Sequence, residues 1–240
     1  MMLCLISLAI SIISWKYFPM IRLKDETPFA HGNHREVYRH PEKPLSCLKL
    51  MKEDWRECDR WKRANILSKI FRPRRYYHEN EGELHFSTEL AERVGSAAWD
   101  FVAQAHGQVE TDLGTALEVD LVLDHDQKIS LSLKEYVWRN GYTIECENAL
   151  DDFWTLLNQN WVFVEARPDN LSVRQDLDGG CQIFAIDGYA YGQFIPLSKW
   201  FKKERIRVLQ KRRRKQRAVI DEILKQRESG EILSPQGFQL

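Results

Sequence analysis

The sequence has little that would commit it to a membrane, a disulfide framework or a metal cluster. Its five cysteines are scattered without a CxxC pair, a pattern typical of reduced thiols in a cytosolic protein. Residues 1–15 are apolar but too few for a comfortable membrane span, which takes about 20 residues. Formal net charge is zero over 240 residues, so the whole chain gives no argument for a nucleic-acid partner.

The apolar segment over residues 1–19 leaves two interpretations open. No positive charge precedes it, so it is a poor signal peptide. It is either a weak membrane anchor or an extension upstream of the true start. We favour the extension, because Met20 begins "MIRLKDETPF", which is typical of a soluble N-terminus. We therefore expect a cytoplasmic protein.

The zero net charge hides a strongly basic segment near the C-terminus. Residues 201–217 carry ten Lys/Arg and one Glu, a net of +9, which leaves −9 for the rest of the chain. Such a run is most often a solvated helix face, and it also suits an anionic surface. No aromatic residues interleave with "KRRRK", so specific nucleic-acid binding is not expected. The residues proposed to contact an anionic surface are Lys202, Lys203, Lys211, Arg212, Arg213, Arg214 and Lys215.

The order of strand and helix patterns predicts an α+β fold. Strand-like pieces come first: "MIRL", "EVYRH" and "SCLKL". A charged helix is predicted over residues 51–70, and one or two helices over "GELHFSTELAERVGSAAWDFV". A hairpin around "TDLG" follows, and then a helix in "CENALDDFWTLLNQN", with Leu150, Phe153, Leu156 and Leu157 on one face. The segment "DLDGG" predicts a second hairpin, between Asn170 and Asp187.

Four residues in this order match the parts that magnesium-dependent phosphoryl transfer needs. Lys49 lies in a strand and would meet nucleotide phosphates, and Glu83 on a helix would fix that cation. Asn170 and Asp187 stand at the two ends of one predicted hairpin, where their oxygens would hold a metal ion. Purely structural interpretations also stay open. In these, Lys49 is an edge lysine that reaches water, and Asn170 is a turn residue.

With these residues in this order, the sequence resembles the YrbL family of small bacterial proteins, named for the PhoP regulatory network, and the protein-kinase-like superfold. The resemblance spans about Met20 to Arg217. It implies a β-rich N-terminal lobe over about 20–127 with one main helix, a reduced, mostly helical C-terminal lobe over about 128–217, and a tail over 218–240. The stretches that carry it are "MIRLKDETPFAHGNHREVYRHPE", "CLKL", "GELHF", "GQVETDLGT", "LKEYV", "RPDNLSV" and "FIPLSKWFKKER".

The resemblance also implies ATP and Mg²⁺ as cofactors, and it assigns roles by position. Lys49 would contact the nucleotide phosphates and Glu83 would pair with it, although Glu81 and Glu89 compete for that place. Asn170 and Asp187 would be the metal ligands. The phosphate-covering loop would lie around Gly32, and Glu165 would stand at the place of the catalytic base.

Several residues depart from the pattern of active kinases. Gly32 is the only glycine of the covering loop, and it is flanked by His31, His34 and Arg35. His31 and His34 lack a third ligand nearby, which argues against a metal site there. Glu165 replaces an aspartate, and its bland interpretation is a salt-bridged loop acid. After Asp187 only 53 residues remain, without "APE", so a protein substrate is the less favoured acceptor.

Three functions stay open from the sequence. The first is an atypical ATP- and Mg²⁺-dependent phosphotransferase on a non-protein acceptor. The second is a pseudokinase, a regulatory module that binds a nucleotide or a protein partner. The third is a basic adaptor for anionic surfaces, through residues 201–217.

Overall fold

A computed structural model describes residues 20–56, 66, 78–188 and 202–230. The fold belongs to the α+β class, as the sequence predicts. None of the described helices combines the length and apolar character that a membrane crossing demands. The elements in chain order are β1 (Ala30–His31), β2 (Arg35–Arg39), β3 (Ser46–Met51), α1 (Glu53–Arg56), α2 (Glu79–Val94), a 3-10 helix (Gly95–Asp100), β4 (Ala105–Thr111), β5 (Gly114–Asp120), β6 (Leu131–Ser132), α3 (Leu133–Asn140), α4 (Ile144–Gln159), a 3-10 turn (Pro168–Asn170), β7 (Leu171–Gln175), β8 (Cys181–Ala185) and α5 (Lys202–Ser229).

The strands form two antiparallel sheets. One has five strands in the order β1-β2-β3-β5-β4, and the other has three in the order β6-β7-β8. The predicted "TDLG" hairpin is present as β4 and β5, and Gly114 takes a φ of 116° at the turn, which suits glycine. The predicted strand at "MIRL" is wrong, because Ile21 makes only a single bridge to Thr111.

Helices α3 and α4, which pack against the second sheet, each begin at a side-chain cap. Ser132 accepts a hydrogen bond from the backbone N–H of Glu135 at the start of α3, and Thr143 caps α4 in the same way. The apolar face predicted for α4 is largely confirmed. Phe153 and Leu157 are buried with Leu150 in the main hydrophobic core, to which α3, β7, β8 and α5 also contribute, whereas Leu156 is only partly buried.

Helix α5 is part of the main core rather than a tail. It runs without a break across position 217, where the sequence interpretation placed the domain's end, and it buries Ile220 and Ile223. Several expectations lie outside the described residues. They concern all of residues 1–19, most of the helix predicted over 51–70, and most of the stretch "FIPLSKWFKKER".

Candidate functional site

A buried ion pair joins the first sheet to helix α2. Lys49 lies on β3, between β2 and β5, and its Nζ is 2.5 Å from Oε1 of Glu83. Lys49 is 6% exposed and Glu83 is 2% exposed, so Lys49 is not an edge lysine that reaches water. Its Nζ also donates to the carbonyl of Ile186, at 2.5 Å. Strand β3 thereby contacts both α2 and the end of the second hairpin.

The helical period explains why Glu83, among three nearby acids, meets Lys49. Asn80, Glu83 and Ser87 are buried on one face of α2, as their spacing of three and four residues requires. Glu81 lies on the exposed face, and Glu89 is half-buried away from Lys49. The Nδ2 of Asn80 donates to the carbonyl of Lys49 at 3.1 Å and fixes the helix against the strand.

Arg35, to which the sequence analysis gave no role, lies at the centre of the same network. Its Nη1 is 2.6 Å from Oε2 of Glu83, and its Nη2 is 2.6 Å from Oδ2 of Asp187. Burial opposes the charge on Arg35, but Asp187, Glu83 and Glu79 outweigh it and raise the Arg35 pKa. The pairing of β2 with β3 explains why Arg35 lies in this network. Val37 pairs with Lys49, and Arg35 lies two residues from Val37, on the same face.

The second hairpin brings Asn170 and Asp187 together. The carbonyl of Asn170 accepts hydrogen bonds from the N–H groups of Ile186, at 2.9 Å, and of Asp187, at 3.3 Å. The Nδ2 of Asn170 donates to the carbonyl of Glu165 at 3.0 Å. Within the described residues, no hydrogen bond to its Oδ1 is found. Both side chains line the cleft that contains Lys49.

Asp187 is held in its charged form. Burial alone would raise the pKa of this carboxyl, but Arg35, Lys49 and the Gly188 N–H outweigh it and lower the pKa to about 2. Oδ1 accepts a hydrogen bond from the Gly188 N–H at 2.6 Å, and Oδ2 contacts Arg35. The side chain remains 46% exposed, so the carboxylate is reachable from the cleft.

Glycine is required at position 188 for two reasons. Its φ is +82°, in the left-handed region that favours glycine. A Cβ there would also lie 2.7 Å from Nδ2 of Asn170 and 2.9 Å from the carbonyl oxygen of Glu165. The "IDG" pattern thus lets three segments of the site approach one another closely.

Glu165 lies on a loop that helix α5 holds in place. Arg212 donates to the carbonyl of Val164 at 2.6 Å, and Gln216 donates to the carbonyl of Ala166 at 2.6 Å. Gln216 also accepts a hydrogen bond from the Trp154 indole, at 2.8 Å. The Glu165 carboxylate itself makes no hydrogen bond with the part of the chain that the structure describes. The loop is therefore held on both sides of Glu165.

The basic run of α5 has mixed roles. Arg212 is half-buried against the Glu165 loop, and Arg213 pairs with Asp151. The remaining predicted contacts for an anionic surface are exposed: Lys202, Lys203, Lys211, Arg214 and Lys215.

The turn around Gly32 lines the cleft. The Gly32 N–H donates to the carbonyl of Arg35 at 2.8 Å, so this N–H is already used within the turn. His31 approaches Glu36 at 3.8 Å, whereas His34 contacts Glu79 at 2.6 Å. The two histidines therefore face different acids. Over the described ranges, no group of three His, Cys, Asp or Glu side chains could hold a metal ion.

The arrangement has the donor types that a hard cation prefers. Asn170 has an amide oxygen that accepts no hydrogen bond from the described residues, and Asp187 has a carboxylate. Mg²⁺ takes one or two such protein oxygens together with phosphate and water. The residues thus fit magnesium in type, although Arg35 occupies one Asp187 oxygen. The cavity beside them measures about 250 Å³.

Comparison with known proteins identifies the family. The family described as "PhoP regulatory network protein YrbL" matches residues 21–223, which include every site residue named above. The uncharacterized protein YrbL of Escherichia coli (strain K12) is 25% identical over 194 residues, covering 76% of this chain and 80% of the relative. The uncharacterized protein YrbL of Shigella flexneri gives the same figures. The chain belongs to the family of PhoP regulatory network proteins YrbL.

Proposed function

We propose that the cleft binds ATP and that the protein is an atypical phosphotransferase on a protein-kinase-like, two-lobed fold. The observation that carries this proposal is the buried Lys49–Glu83 pair, which lies in one cleft with Asn170 and Asp187. A lysine held by a helix carboxylate and a pair of oxygen ligands are the recurring parts of kinase phosphoryl transfer. Four such groups from three separate segments converge here.

Each residue has a role in this proposal. Lys49 contacts the nucleotide phosphates, and Glu83 holds it in place. Asn170 and Asp187 hold Mg²⁺, which would neutralise the charge on the phosphates. The acceptor hydroxyl attacks the γ-phosphorus, its proton passes to Glu165, and the bond between that phosphorus and the departing ADP oxygen breaks. Glu165 lines the same cleft, on a loop that α5 holds in place, which supports its role as the base.

The acceptor is proposed to be a non-protein molecule. The sequence has no "APE" after Asp187, and that motif accompanies the substrate platform of protein kinases.

One observation favours a second candidate, a pseudokinase that binds a nucleotide or a protein partner without turnover. Arg35 already pairs with Asp187, the carboxylate that magnesium would need. The Gly32 N–H is also consumed within its own turn, so it does not reach towards phosphate. Both features weaken catalysis more than they weaken nucleotide binding.

A thermal-shift titration with Mg·ATP, followed by an assay of ATP turnover, separates these functions. We expect ATP to raise the melting temperature of the parent protein and of Lys128→Ala, whose lysine is 81% exposed, but not that of Lys49→Ala. Glu165→Gln should retain the ATP-induced shift and lose about 100-fold or more in turnover. A shift without turnover in the parent would favour the pseudokinase. The absence of any ATP-induced shift would refute both nucleotide-binding functions.

A further inference from the structure

Arg35 occupies one of the two carboxylate oxygens at the proposed metal position. We propose that Arg35 sets the metal affinity of this cleft: it is the resident counter-ion of Asp187, and a divalent cation must compete with it for that carboxylate. This inference rests on the proposed function for the identity of the metal ligands. It adds Arg35 as a residue that sets the metal affinity, a role that the proposed function does not contain.

One end of the guanidinium is firmly anchored. Nη1 contacts Oε2 of Glu83 at 2.6 Å and Oδ1 of Asn80 at 3.2 Å, and both partners are buried residues of α2. Nε lies 3.6 Å from Oε2 of Glu79. These contacts keep Arg35 beside α2 whether or not Asp187 is engaged.

The other end faces a more accessible partner. Nη2 lies 2.6 Å from Oδ2 of Asp187, and that side chain is 46% exposed. The Asp187 oxygens can therefore meet a cation that enters from the cleft. A cation that replaces Arg35 at Asp187 breaks this one contact of Arg35, and the contacts of Arg35 with α2 remain.

Electrostatics make the two cations competitors. A divalent ion on Asp187 would sit a few ångströms from a guanidinium that carries a full positive charge, and like charges at that distance repel strongly in a partly buried site. Lys49, whose charge also acts on Asp187, adds to the repulsion. Arg35 should therefore lower the affinity for a divalent cation at Asp187 by at least tenfold.

Manganese binding measured by electron paramagnetic resonance tests the proposal without nucleotide. Arg35→Met should bind Mn²⁺ at least tenfold more tightly than the parent protein does. Arg39→Met, a change at an exposed position near the end of the same strand, should behave like the parent. Adding Asp187→Asn to Arg35→Met should remove the gain. Equal Mn²⁺ affinity in Arg35→Met and Arg39→Met would overturn the proposal, as would a gain that persists without Asp187.

Arg35→Lys keeps the test decisive if Arg35→Met fails to fold. A lysine retains the charge near Glu83 but lacks the planar fork that bridges two carboxylates. It should release Asp187 in part and raise the Mn²⁺ affinity at least threefold. An unchanged affinity in folded Arg35→Lys would count against the role of Arg35.

A second titration keeps the two proposals apart. The Mg²⁺ concentration that gives half of the ATP-induced thermal shift should fall at least tenfold in Arg35→Met, and it should stay unchanged in Arg39→Met. If ATP binds no variant while Mn²⁺ follows the predicted order, the nucleotide function fails and the competition at Asp187 stands. If ATP binds and the Mg²⁺ midpoint does not move, the role of Arg35 is refuted.

Discussion

Replacing Lys49 with methionine tests whether the ion pair at the centre of the cleft stabilises the fold. Methionine keeps a similar length and removes the charge. Glu83 then loses the contact to Nζ at 2.5 Å but keeps Arg35 at 2.6 Å, and the carbonyl of Ile186 loses its donor. The change therefore weakens a buried network without leaving Glu83 wholly unpaired.

The structure gives the expected magnitude. Breaking a buried ion pair from one side typically destabilises a protein by roughly 3–5 kcal/mol. Because Arg35 still compensates Glu83, we expect the lower end, about 3 kcal/mol. For a domain of 150–250 residues, each kcal/mol lowers the melting temperature by about 2–4 °C. The melting temperature of Lys49→Met should therefore fall by about 6–12 °C.

Differential scanning calorimetry at pH 7 measures this loss. Lys128→Met is the matched control, because it removes a lysine whose pairing with Asp126 is local and whose side chain is 81% exposed. Exposed pairs contribute little to stability because solvent screens them, so the control should move the melting temperature by less than about 4 °C. Equal shifts in the two variants would show that the Lys49–Glu83 pair contributes no more than a surface contact.

Two further changes test local features of the structure. Gly188→Ala should destabilise the protein by at least about 1–2 kcal/mol, because φ is +82° and the new Cβ would lie 2.7 Å from the Asn170 amide. Thermal melts measure this loss, and Gly107→Ala, whose Cβ would meet no atom within 4 Å, is the control. Burial alone would raise the pKa of Glu118, but its contact with Lys43 outweighs burial and lowers that pKa from 4.5. The Glu118 carboxylate therefore stabilises the fold above pH 4.5, and this stabilisation is lost as the pH falls through the pKa of the folded state. The difference in melting temperature between the parent and Glu118→Gln should be largest near pH 7 and shrink below pH 4.5, and a difference independent of pH would contradict the assignment.

Residues whose position follows from a local pattern could be predicted from the sequence. Lys49 stands in an apolar strand, and "DLDGG" reverses the chain between Asn170 and Asp187, so strand and turn patterns suffice to place these residues. The sequence alone could not select Glu83, because Glu81 and Glu89 fit the predicted helix equally well. Only the packing of α2 against the sheet distinguishes them.

Arg35 shows what local patterns omit. Its partners lie 48 and 152 positions away along the chain, on α2 and after β8, so no spacing rule joins them. A charged residue beside a glycine and two histidines looks like a solvated turn. Its burial becomes visible only when the register of β2 against β3 places it on the face of Lys49.

The predicted end of the domain at position 217 leads to the last test, since two neighbours just beyond it have opposite environments. Ile220 is 0% exposed in the main core, whereas Val219 is 46% exposed. Replacing a buried isoleucine with alanine costs roughly 2–5 kcal/mol, because apolar burial is lost and a cavity is left, whereas an exposed substitution usually changes stability by under about 0.5 kcal/mol. Ile220→Ala should therefore melt at least 4 °C lower than the parent protein, and Val219→Ala within about 2 °C of it. If both variants melt with the parent, α5 beyond position 217 is a dispensable tail, and the domain ends where the charge pattern of the sequence changes.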